Sequence, residues 1–320
     1  MLAVENLTVR FRGERGWLTA VDDVSFTLSA RESLGIVGES GSGKSVTALS
    51  ILRLHAKSTT DIQGRIRYQT QDILGLPERS MRALRGGDIA MVFQDPMSSL
   101  NPVLTIEEQI GETLRLHQGL AGAAARKRAI ELLDLVRIPD AARRIGEYPH
   151  RLSGGMRQRV MIAIAIACQP KLLIADEPTT ALDVTIQAQI LDLLRRLQEE
   201  LGMALILITH DLGIVAEFTK RIMVMYAGRV VEDAPAPALF ATPRHPYTEG
   251  LLASIPPLDH DVHRLTAIPG TIPDPGRRID GCRFHPRCRE TQPDCTTTAP
   301  ALLADPTGHL SRCPPRMARL

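Results

Sequence analysis

The chain has 320 residues, enough for one sizeable core with an appendage or for two small domains. A hydrophobic content of 44% with 23% charged residues indicates a soluble globular protein, and a formal charge of +2 gives no electrostatic support for nucleic-acid binding. The longest apolar run, VMIAIAIAC at 160–168, is about half as long as a membrane span, so it predicts a buried helix. The amino terminus lacks an apolar segment after a basic start, which argues against a secretory signal and makes the cytosol the expected compartment.

The first predicted elements are strands. Residues 2–11 (LAVENLTVRF) and 18–28 (LTAVDDVSFTL) alternate in polarity, as strands of a half-exposed antiparallel sheet do. Residues 32–38 (ESLGIVG) form a short apolar run, and residues 44–54 repeat apolar side chains at helical spacing. This stretch predicts a strand, a glycine turn and a helix in succession.

The middle of the chain, from about residue 96 to residue 148, is predominantly helical. Thr105 with Glu108 three positions later is the pattern of a helix-capping box. Two further apolar strands follow at 171–178 and 203–211, separated by an amphipathic helix. Buried strands that alternate with helices favour a parallel sheet covered on both faces.

Beyond about residue 233 the composition changes. Proline and arginine become frequent, periodicity fades, and four of the five cysteines appear. We therefore predict a domain boundary near residue 235, followed by a small domain with few regular elements at 236–320.

A phosphate-binding loop is predicted at residues 38–45, GESGSGKS, which fit the P-loop pattern. Its glycines allow backbone N–H groups to turn toward phosphate oxygens, and the helix after it presents its positive end. Lys44 would contact the β- and γ-phosphates and Ser45 would bind Mg²⁺. A glycine-rich surface loop is the alternative, but it explains neither the preceding strand nor the following helix. The predicted phosphate-binding residues are Gly38, Ser40, Gly41, Ser42, Gly43, Lys44 and Ser45.

Two acids end the apolar strand LLIADE at 172–177. Asp176 would hold the Mg²⁺ shell, and Glu177 would polarise the attacking water. The alternative is that both acids cap a turn at Pro178, which is less favoured beside a P-loop.

A second anion site is predicted at RLSGGMRQRV, residues 151–160. Ser153 and the N–H groups near Gly154 and Gly155 stand at the start of a helix, whose dipole favours a phosphate. The residues alone leave open whether that phosphate belongs to this chain's own nucleotide.

Together these motifs resemble the nucleotide-binding subunits of ATP-binding cassette (ABC) transporters over residues 1–235. LSGG resembles the signature, VFQDP the Q-loop with Gln94, TALD the D-loop with Asp183, and LITHD the switch loop with His210. The implied fold is an α/β P-loop NTPase core with an antiparallel β subdomain and a helical subdomain at about 96–158, plus an irregular, cysteine-containing extension. Met156 departs from the usual glutamine after the signature, with modest effect expected.

The resemblance implies an ATPase that uses Mg²⁺. It assigns catalytic roles to Glu177, His210 and Gln94, with Gln94 also contacting the metal, and it places Asp183 at the nucleotide. Phe11 stands where the family's adenine-stacking aromatic falls, with Trp17 as the competing choice and ordinary core packing of Phe11 as the alternative. Two subunits pack head to tail in this family, so each signature covers the ATP on the other subunit's P-loop.

The tail indicates a subfamily. Residues 244–256 and 267–288 resemble the C-terminal extension of oligopeptide and dipeptide importers, a group that includes nickel transporters. This implies a second, related ATPase subunit, two membrane permease subunits that dock near residues 95–115, and an extracytoplasmic substrate-binding protein. The expected location is peripheral, at the cytoplasmic face of the inner membrane.

Three alternatives remain at this stage. The chain could serve an importer of nickel or another small solute. A non-transport ABC ATPase is a second alternative, although the insert is too short for the coiled-coil arms of the repair type and the ribosomal type carries two cassettes. An iron–sulfur redox protein would leave the signature unexplained.

The tail cysteines suggest a metal site. They are spaced C-x5-C-x6-C-x17-C without the short knuckle typical of zinc. The resemblance implies a [4Fe–4S] cluster, with Zn²⁺ or four free thiols as alternatives. Adjacent arginines would offset an anionic centre, whereas Cys168 is expected to be a small buried hydrophobe. The predicted ligands are Cys282, Cys288, Cys295 and Cys313, and the neighbouring arginines are Arg283, Arg287, Arg289 and Arg312.

Overall fold

The computed structural model describes residues 1–14, 16–180, 182–255, 267–274, 276 and 279–318. One residue of the TALD motif and parts of the two tail stretches quoted above lie outside these ranges. Within them, no helix combines the length and the apolar character that crossing a membrane requires.

The strands of the described residues form an antiparallel sheet and a mixed sheet, which contains both parallel and antiparallel pairs. In chain order they are β1 (Leu2–Gly13), β2 (Gly16–Leu28), β3 (Ser33–Val37), β4 (Thr60–Tyr68), β5 (Gln71–Asp72), β6 (Ile89–Val92), β7 (Leu172–Asp176), β8 (Ala204–Thr209), β9 (Arg221–Tyr226), β10 (Arg229–Pro235), β11 (Leu303–Ala304) and β12 (Leu310–Ser311).

The helices range from single turns to eighteen residues. In chain order they are α1 (Lys44–Ile51), α2 (Glu78–Leu84), α3 (Pro96–Ser99), α4 (Ile106–Gln118), α5 (Gly122–Leu135), α6 (Ala141–Arg144), α7 (Gly154–Ile166), α8 (Val184–Leu201), α9 (Leu212–Phe218), α10 (Ala236–Ala241), α11 (Pro246–Ala253), α12 (Pro293–Thr297) and α13 (Pro314–Met317). Short 3₁₀ turns occupy Ile73–Gly75, Pro149–Arg151 and His285–Arg287.

The chain divides into two compact units. Unit 1 comprises Met1–Leu28, Ser33–Leu74 and Thr209–Leu320, and unit 2 comprises Ser29–Glu32 and Gly75–Ile208. The domain boundary near residue 235 and the helical subdomain at 96–158 stay predictions.

Unit 1 contains the predicted antiparallel sheet, with strand order β2-β1-β4-β5. In β1 the buried side chains are first Leu2 and Val4 and then Leu7 and Val9. The switch from even to odd positions occurs at Asn6, whose φ is +49° and where the register shifts. This bulge keeps both halves of the strand facing the core.

The second sheet of unit 1 has the order β3-β9-β10-β12-β11. Every residue of β3 is buried, and β3 pairs parallel with β9, as its continuous apolar run predicts. The extension then contributes strands, because Ser311 of β12 pairs with Glu232 of β10. Glu232 is buried and its carboxylate lies 2.7 Å from Nε2 of His309. The extension is thus bonded into this sheet by backbone and side chain.

Unit 2 contains β6, β7 and β8 as adjacent parallel strands. The capping box that begins α4 is confirmed, because the Thr105 side chain accepts from the Glu108 N–H and the Glu108 carboxylate accepts from the Thr105 N–H. The predicted buried helix is α7, most of whose apolar residues are buried. Cys168 lies beyond the end of that helix and is only half-buried, in contrast to the expectation.

Candidate active site and cysteine-lined cavity

The P-loop, residues 38–45, joins β3 to α1 in unit 1. Gly38 and Gly43 have φ values of +152° and +101°, in the region that favours glycine. A Cβ at Gly38 would overlap the carbonyl oxygen of Met225, and one at Gly43 would lie 2.8 Å from that of Ala20. The loop therefore requires glycine both for its conformation and for its close approach to neighbouring backbone.

Lys44 begins α1 and is only 4% exposed. Its Nζ donates to the carbonyl oxygens of Gly38 at 2.7 Å and Glu39 at 3.1 Å. The Glu39 carbonyl also accepts from the Ser42 N–H at 3.2 Å. Ser45 follows at the second position of the helix and is half-buried. The ammonium group and the positive end of α1 thus converge on a compact backbone cradle, as a phosphate site requires.

The two predicted acids stand at the end of β7 in unit 2. Asp176 is buried, whereas Glu177 is half-buried with a φ of +45°, a conformation uncommon outside glycine. The Glu177 N–H donates to the Ile208 carbonyl at 2.8 Å. Its Oε2 accepts from Gln94 Nε2 at 2.9 Å and from Thr180 Oγ1 at 3.0 Å. The structure therefore brings Gln94 and Glu177 together. It also shows a second hydrogen-bond donor to Glu177, Thr180, which the sequence analysis missed. The only signal in the sequence was a hydroxyl side chain three residues after the acid.

The signature lies at the start of α7 in unit 2. Ser153 is the N-cap residue, and its Oγ accepts from the Met156 N–H at 3.4 Å. Ser153 and Gly154 are exposed. A Cβ at Gly155 would lie 2.8 Å from Cγ2 of Ile186 on α8, so glycine is needed for this helix contact. An accessible serine at a helix start is compatible with the second anion site, which stays a prediction.

Asp183 and His210 are each followed by a helix. Asp183 is the N-cap of α8, with its Oδ1 accepting from the Ile186 N–H at 2.9 Å. His210 is exposed between β8 and α9, and the next residue, Asp211, caps α9 by accepting from the Gly213 N–H at 2.8 Å. Both predicted residues are therefore held at ordered helix starts.

The two candidate adenine-stacking aromatics differ in environment. Phe11 is half-buried and contacts His55 edge-on, with ring centroids 5.2 Å apart. Trp17 is 53% exposed and lines a cavity of about 630 Å³ whose wall includes Gly41 of the P-loop. Gly41 and Ser40 are both exposed at the tip of that loop. An exposed indole beside the P-loop keeps Trp17 as a candidate, and the role of Phe11 stays a prediction.

All four tail cysteines line one cavity of about 410 Å³ in unit 1. Burial raises the pKa of the Cys282 and Cys288 thiols and raises that of Cys313 to about 11. Among the described residues, no group of three or more histidine, cysteine or acidic side chains is arranged to hold a metal ion. The four predicted ligands therefore share one cavity, and burial favours the neutral thiol of Cys282, Cys288 and Cys313, whereas their binding of a metal stays a prediction.

Three arginines beside these cysteines form ion pairs with carboxylates. The sequence analysis expected these arginines to offset the charge of an anionic metal centre. Arg283 pairs with Asp22, and Arg287 pairs with Glu39 at 3.0 Å. Arg312 donates to the Val230 carbonyl at 2.7 Å and pairs with Asp23 at 3.2 Å. These side chains attach the cysteine segment to β2, the P-loop and β10.

Comparisons with known proteins cover nearly the whole chain. Residues 21–180 match the family described as ABC transporter, and residues 231–295 match the oligopeptide/dipeptide transporter, C-terminal region. A protein of Brucella abortus (strain 2308), provisionally named a peptide import ATP-binding protein, is 63% identical over 99% of this chain and 95% of its own length. The oligopeptide transport ATP-binding protein AppD of Bacillus subtilis (strain 168) is 51% identical over 98% of this chain and 96% of its own. Among solved structures, a dimeric post-hydrolysis state of the ATP-binding cassette MJ0796 bound to ADP and phosphate has a TM-score of 0.66 and 31% identity, covering 74% of this chain and 99% of that one.

Proposed function

Because the chain belongs to the ABC transporter family, we propose that its P-loop and its signature serve two different ATP molecules in a paired ATPase. The chain is the ATP-binding and ATP-hydrolysing subunit of a peptide importer, which confirms the resemblance, the fold class and the leading functional prediction. The extension at its C-terminal end matches the oligopeptide/dipeptide transporter region and favours peptides over the nickel alternative.

The proposed chemistry is phosphoryl transfer to water. Lys44 and the P-loop N–H groups hold and neutralise the phosphates, while Glu177 orients the attacking water. The observation that carries this assignment is the fixed Glu177 carboxylate, which accepts hydrogen bonds from Gln94 and Thr180. A carboxylate held by two donors is restricted to few orientations, as a water-positioning group must be.

Bound Mg²⁺ would neutralise phosphate charge in this reaction. Ser45, Asp176 and Gln94 carry hydroxyl, carboxylate and amide oxygens, the donor types that Mg²⁺ prefers, and we assign them as its protein ligands. We assign His210 to the γ-phosphate and Asp183 to the nucleotide site on the basis of the family motifs. Adenine stacking by Phe11 belongs to the same proposal.

The signature would bind the γ-phosphate of ATP on a partner ATPase. Ser153 is exposed at the first turn of α7, where the helix dipole favours an anion. MJ0796, a related cassette, is a dimer in its ADP-bound structure. We propose that the partner here is a second, related subunit, with two membrane permeases and an extracytoplasmic substrate-binding protein completing the importer. The assembly would place this chain at the cytoplasmic face of the inner membrane.

The permease docking surface would lie at residues 95–115. Met97 and Val103 in this stretch are 59% and 75% exposed, so both are accessible to a docking segment. Their exposure supports a contact with an apolar segment of another subunit.

The cysteine cavity would hold a [4Fe–4S] cluster. Four thiols on one cavity match the ligand count of a cubane, and cationic iron would offset the cost of ionising buried thiols. The ligand count carries this proposal, because no group of the described side chains is arranged to hold a metal ion, whether iron or zinc. Four thiolates would also suit one Zn²⁺, which stays the alternative. We propose that the cluster is structural, because the cysteine segment is otherwise poorly cored.

Hybrid complexes test the pairing of P-loop and signature. With Lys44→Ala removing this chain's own ATP site, the remaining hydrolysis takes place on the partner's P-loop. Adding Ser153→Phe should then reduce that remaining rate at least about 100-fold, as expected for loss of transition-state charge stabilisation. The control combines Ser153→Phe with an inactivated partner P-loop and should leave hydrolysis at this chain's own site unchanged. The reverse pattern would refute the proposed pairing.

A further inference from the structure

Glu39, the second residue of the P-loop, is held from outside the loop by the C-terminal extension. The hydroxyl oxygen of Tyr247 accepts from the Glu39 N–H at 2.9 Å. Arg287 donates from one guanidinium nitrogen to Glu39 Oε2 at 3.0 Å. All three residues belong to unit 1, and more than two hundred positions separate Glu39 from each of its two partners.

Tyr247 is fixed in a cluster of rings. It is fully buried on α11, with ring centroids 4.7 Å from Tyr226 and 5.4 Å from Phe284. Burial raises the pKa of Tyr247 well above its usual value, so its hydroxyl stays neutral. The hydroxyl oxygen is therefore a permanent acceptor at a position set by core packing.

Arg287 is also immobilised. Its side chain is 7% exposed, and it donates to the carbonyl oxygens of Pro269 at 2.7 Å and Gly270 at 3.3 Å. Its guanidinium carbon lies 5.7 Å from the centre of the Tyr226 ring. A buried arginine with this many partners cannot follow Glu39 if the P-loop moves, so it restrains the Glu39 carboxylate.

Glu39 transmits this restraint to the phosphate cradle. Its carbonyl oxygen accepts from Lys44 Nζ and from the Ser42 N–H, the same interactions that shape the loop. A loop that is already ordered loses less conformational entropy when a ligand binds, so ordering by an outside contact increases affinity. Glu39 thereby connects the extension to Lys44: its N–H and its carboxylate contact the extension, and its carbonyl oxygen contacts the lysine.

We propose that Tyr247 and Arg287 are positioning residues for the nucleotide, so that the extension is a working part of the ATP site. The inference rests on the ATP binding of this family and concerns how that binding depends on the extension. The inference also connects the cysteine segment to the P-loop, because Arg287 directly precedes Cys288 in the sequence and contacts Glu39 of the loop.

The most conservative test compares two tyrosines of the same ring cluster. Tyr247→Phe removes the acceptor of the Glu39 N–H and keeps the ring. Tyr226→Phe keeps that acceptor and removes only a long contact of 3.4 Å with Arg287, so it separates the Glu39 backbone hydrogen bond from the rest of the ring cluster. Both variants are made in the full-length chain and titrated with Mg·ADP by calorimetry.

Tyr247→Phe should weaken Mg·ADP binding by about fivefold to tenfold, because a loop that has lost one restraint must be ordered when the nucleotide binds. In the assembled ATPase it should raise the KM for ATP by a similar factor with kcat unchanged, because ordering of the loop affects ground state and transition state alike. Tyr226→Phe should change both constants by less than about twofold, because Arg287 keeps its other partners and a 3.4 Å hydrogen bond is weak. Equal constants for Tyr247→Phe and the unmodified chain, or an effect confined to kcat, would overturn the inference.

A double-mutant cycle tests the ion pair. Arg287→Gln and Glu39→Gln should each weaken Mg·ADP binding, and the double variant should be no weaker than the worse single variant. Arg221→Gln serves as the control, since it breaks an ion pair of unit 1 with Asp233 of β10 rather than one with a P-loop residue. Additive effects of the two substitutions, or an equal loss in the control, would show general destabilisation instead. Hydrolysis of ATP by the unmodified assembly tests the proposed function separately.

Discussion

Replacing His245 with asparagine should remove a defined part of the acid sensitivity of unit 1. His245 is 1% exposed and caps α11, where its Nδ1 accepts from the Tyr247 N–H at 3.1 Å. Burial, followed by the charge of Arg316, lowers the pKa of His245 from 6.5 to about 3. The folded protein therefore keeps this ring neutral in mildly acidic solution.

The sign and size of the effect follow from proton uptake. The unfolded chain binds a proton on His245 below about pH 6.5, whereas the folded chain does so only near pH 3. The stability that the neutral ring contributes is complete above pH 6.5 and decreases by about 1.4 kcal/mol per pH unit as the pH falls toward 3. At about pH 5 the loss amounts to about 2 kcal/mol of unfolding free energy.

The assay is urea unfolding followed by the fluorescence of Trp17, the single tryptophan, which lies in unit 1. Asparagine can accept the same capping hydrogen bond but does not titrate. Between about pH 7.5 and pH 5 the unmodified chain should lose about 2 kcal/mol more stability than His245→Asn. Any constant cost of the smaller side chain cancels in this difference. Equal losses in the two proteins would refute the argument.

Three further predictions follow from the site. Gly155→Ala should destabilise the fold by about 1–3 kcal/mol in thermal unfolding, because its Cβ would overlap a side chain of α8, whereas Gly154→Ala should have little effect. Of Phe11→Ala and Trp17→Ala, only the substitution that removes the adenine stack should raise the KM for ATP, by about fivefold to tenfold; equal changes would contradict a single stacking residue. Cys288→Ser should reduce the iron content of anaerobically purified protein from about four atoms per chain to near zero, and zinc or unchanged iron would contradict the cluster.

Local patterns made much of the architecture predictable. The P-loop follows from a glycine pattern between a strand and a helix, and the capping box of Thr105 is set by residues three positions apart. The acids at the end of β7 were identified because the apolar run ends in a charged pair, of which Asp176 is itself the last residue of the strand. In each case the interacting groups are close in sequence, so the local sequence pattern is enough to predict the local structure.

Contacts between distant segments were not predictable in this way. Nothing in residues 281–313 indicates that Arg287 reaches Glu39, or that Ser311 pairs with β10, because side-chain direction and strand pairing depend on the folded neighbours. The arginines beside the cysteines were expected to offset an anionic centre, yet the nearest carboxylates are supplied by β2 and the P-loop. The bulge at Asn6 was equally invisible, since alternation alone does not reveal where the register shifts.

Peptide uptake driven by ATP tests the central claim most directly. The chain would be reconstituted in lipid vesicles with its ATPase partner, permeases and binding protein, and accumulation of a labelled dipeptide would be measured together with phosphate release. We predict that both require ATP, and that Glu177→Gln retains nucleotide binding while reducing turnover at this site by at least about 100-fold and abolishing uptake. Undiminished uptake in the Glu177→Gln assembly would contradict the claim that ATP hydrolysis by this chain powers import.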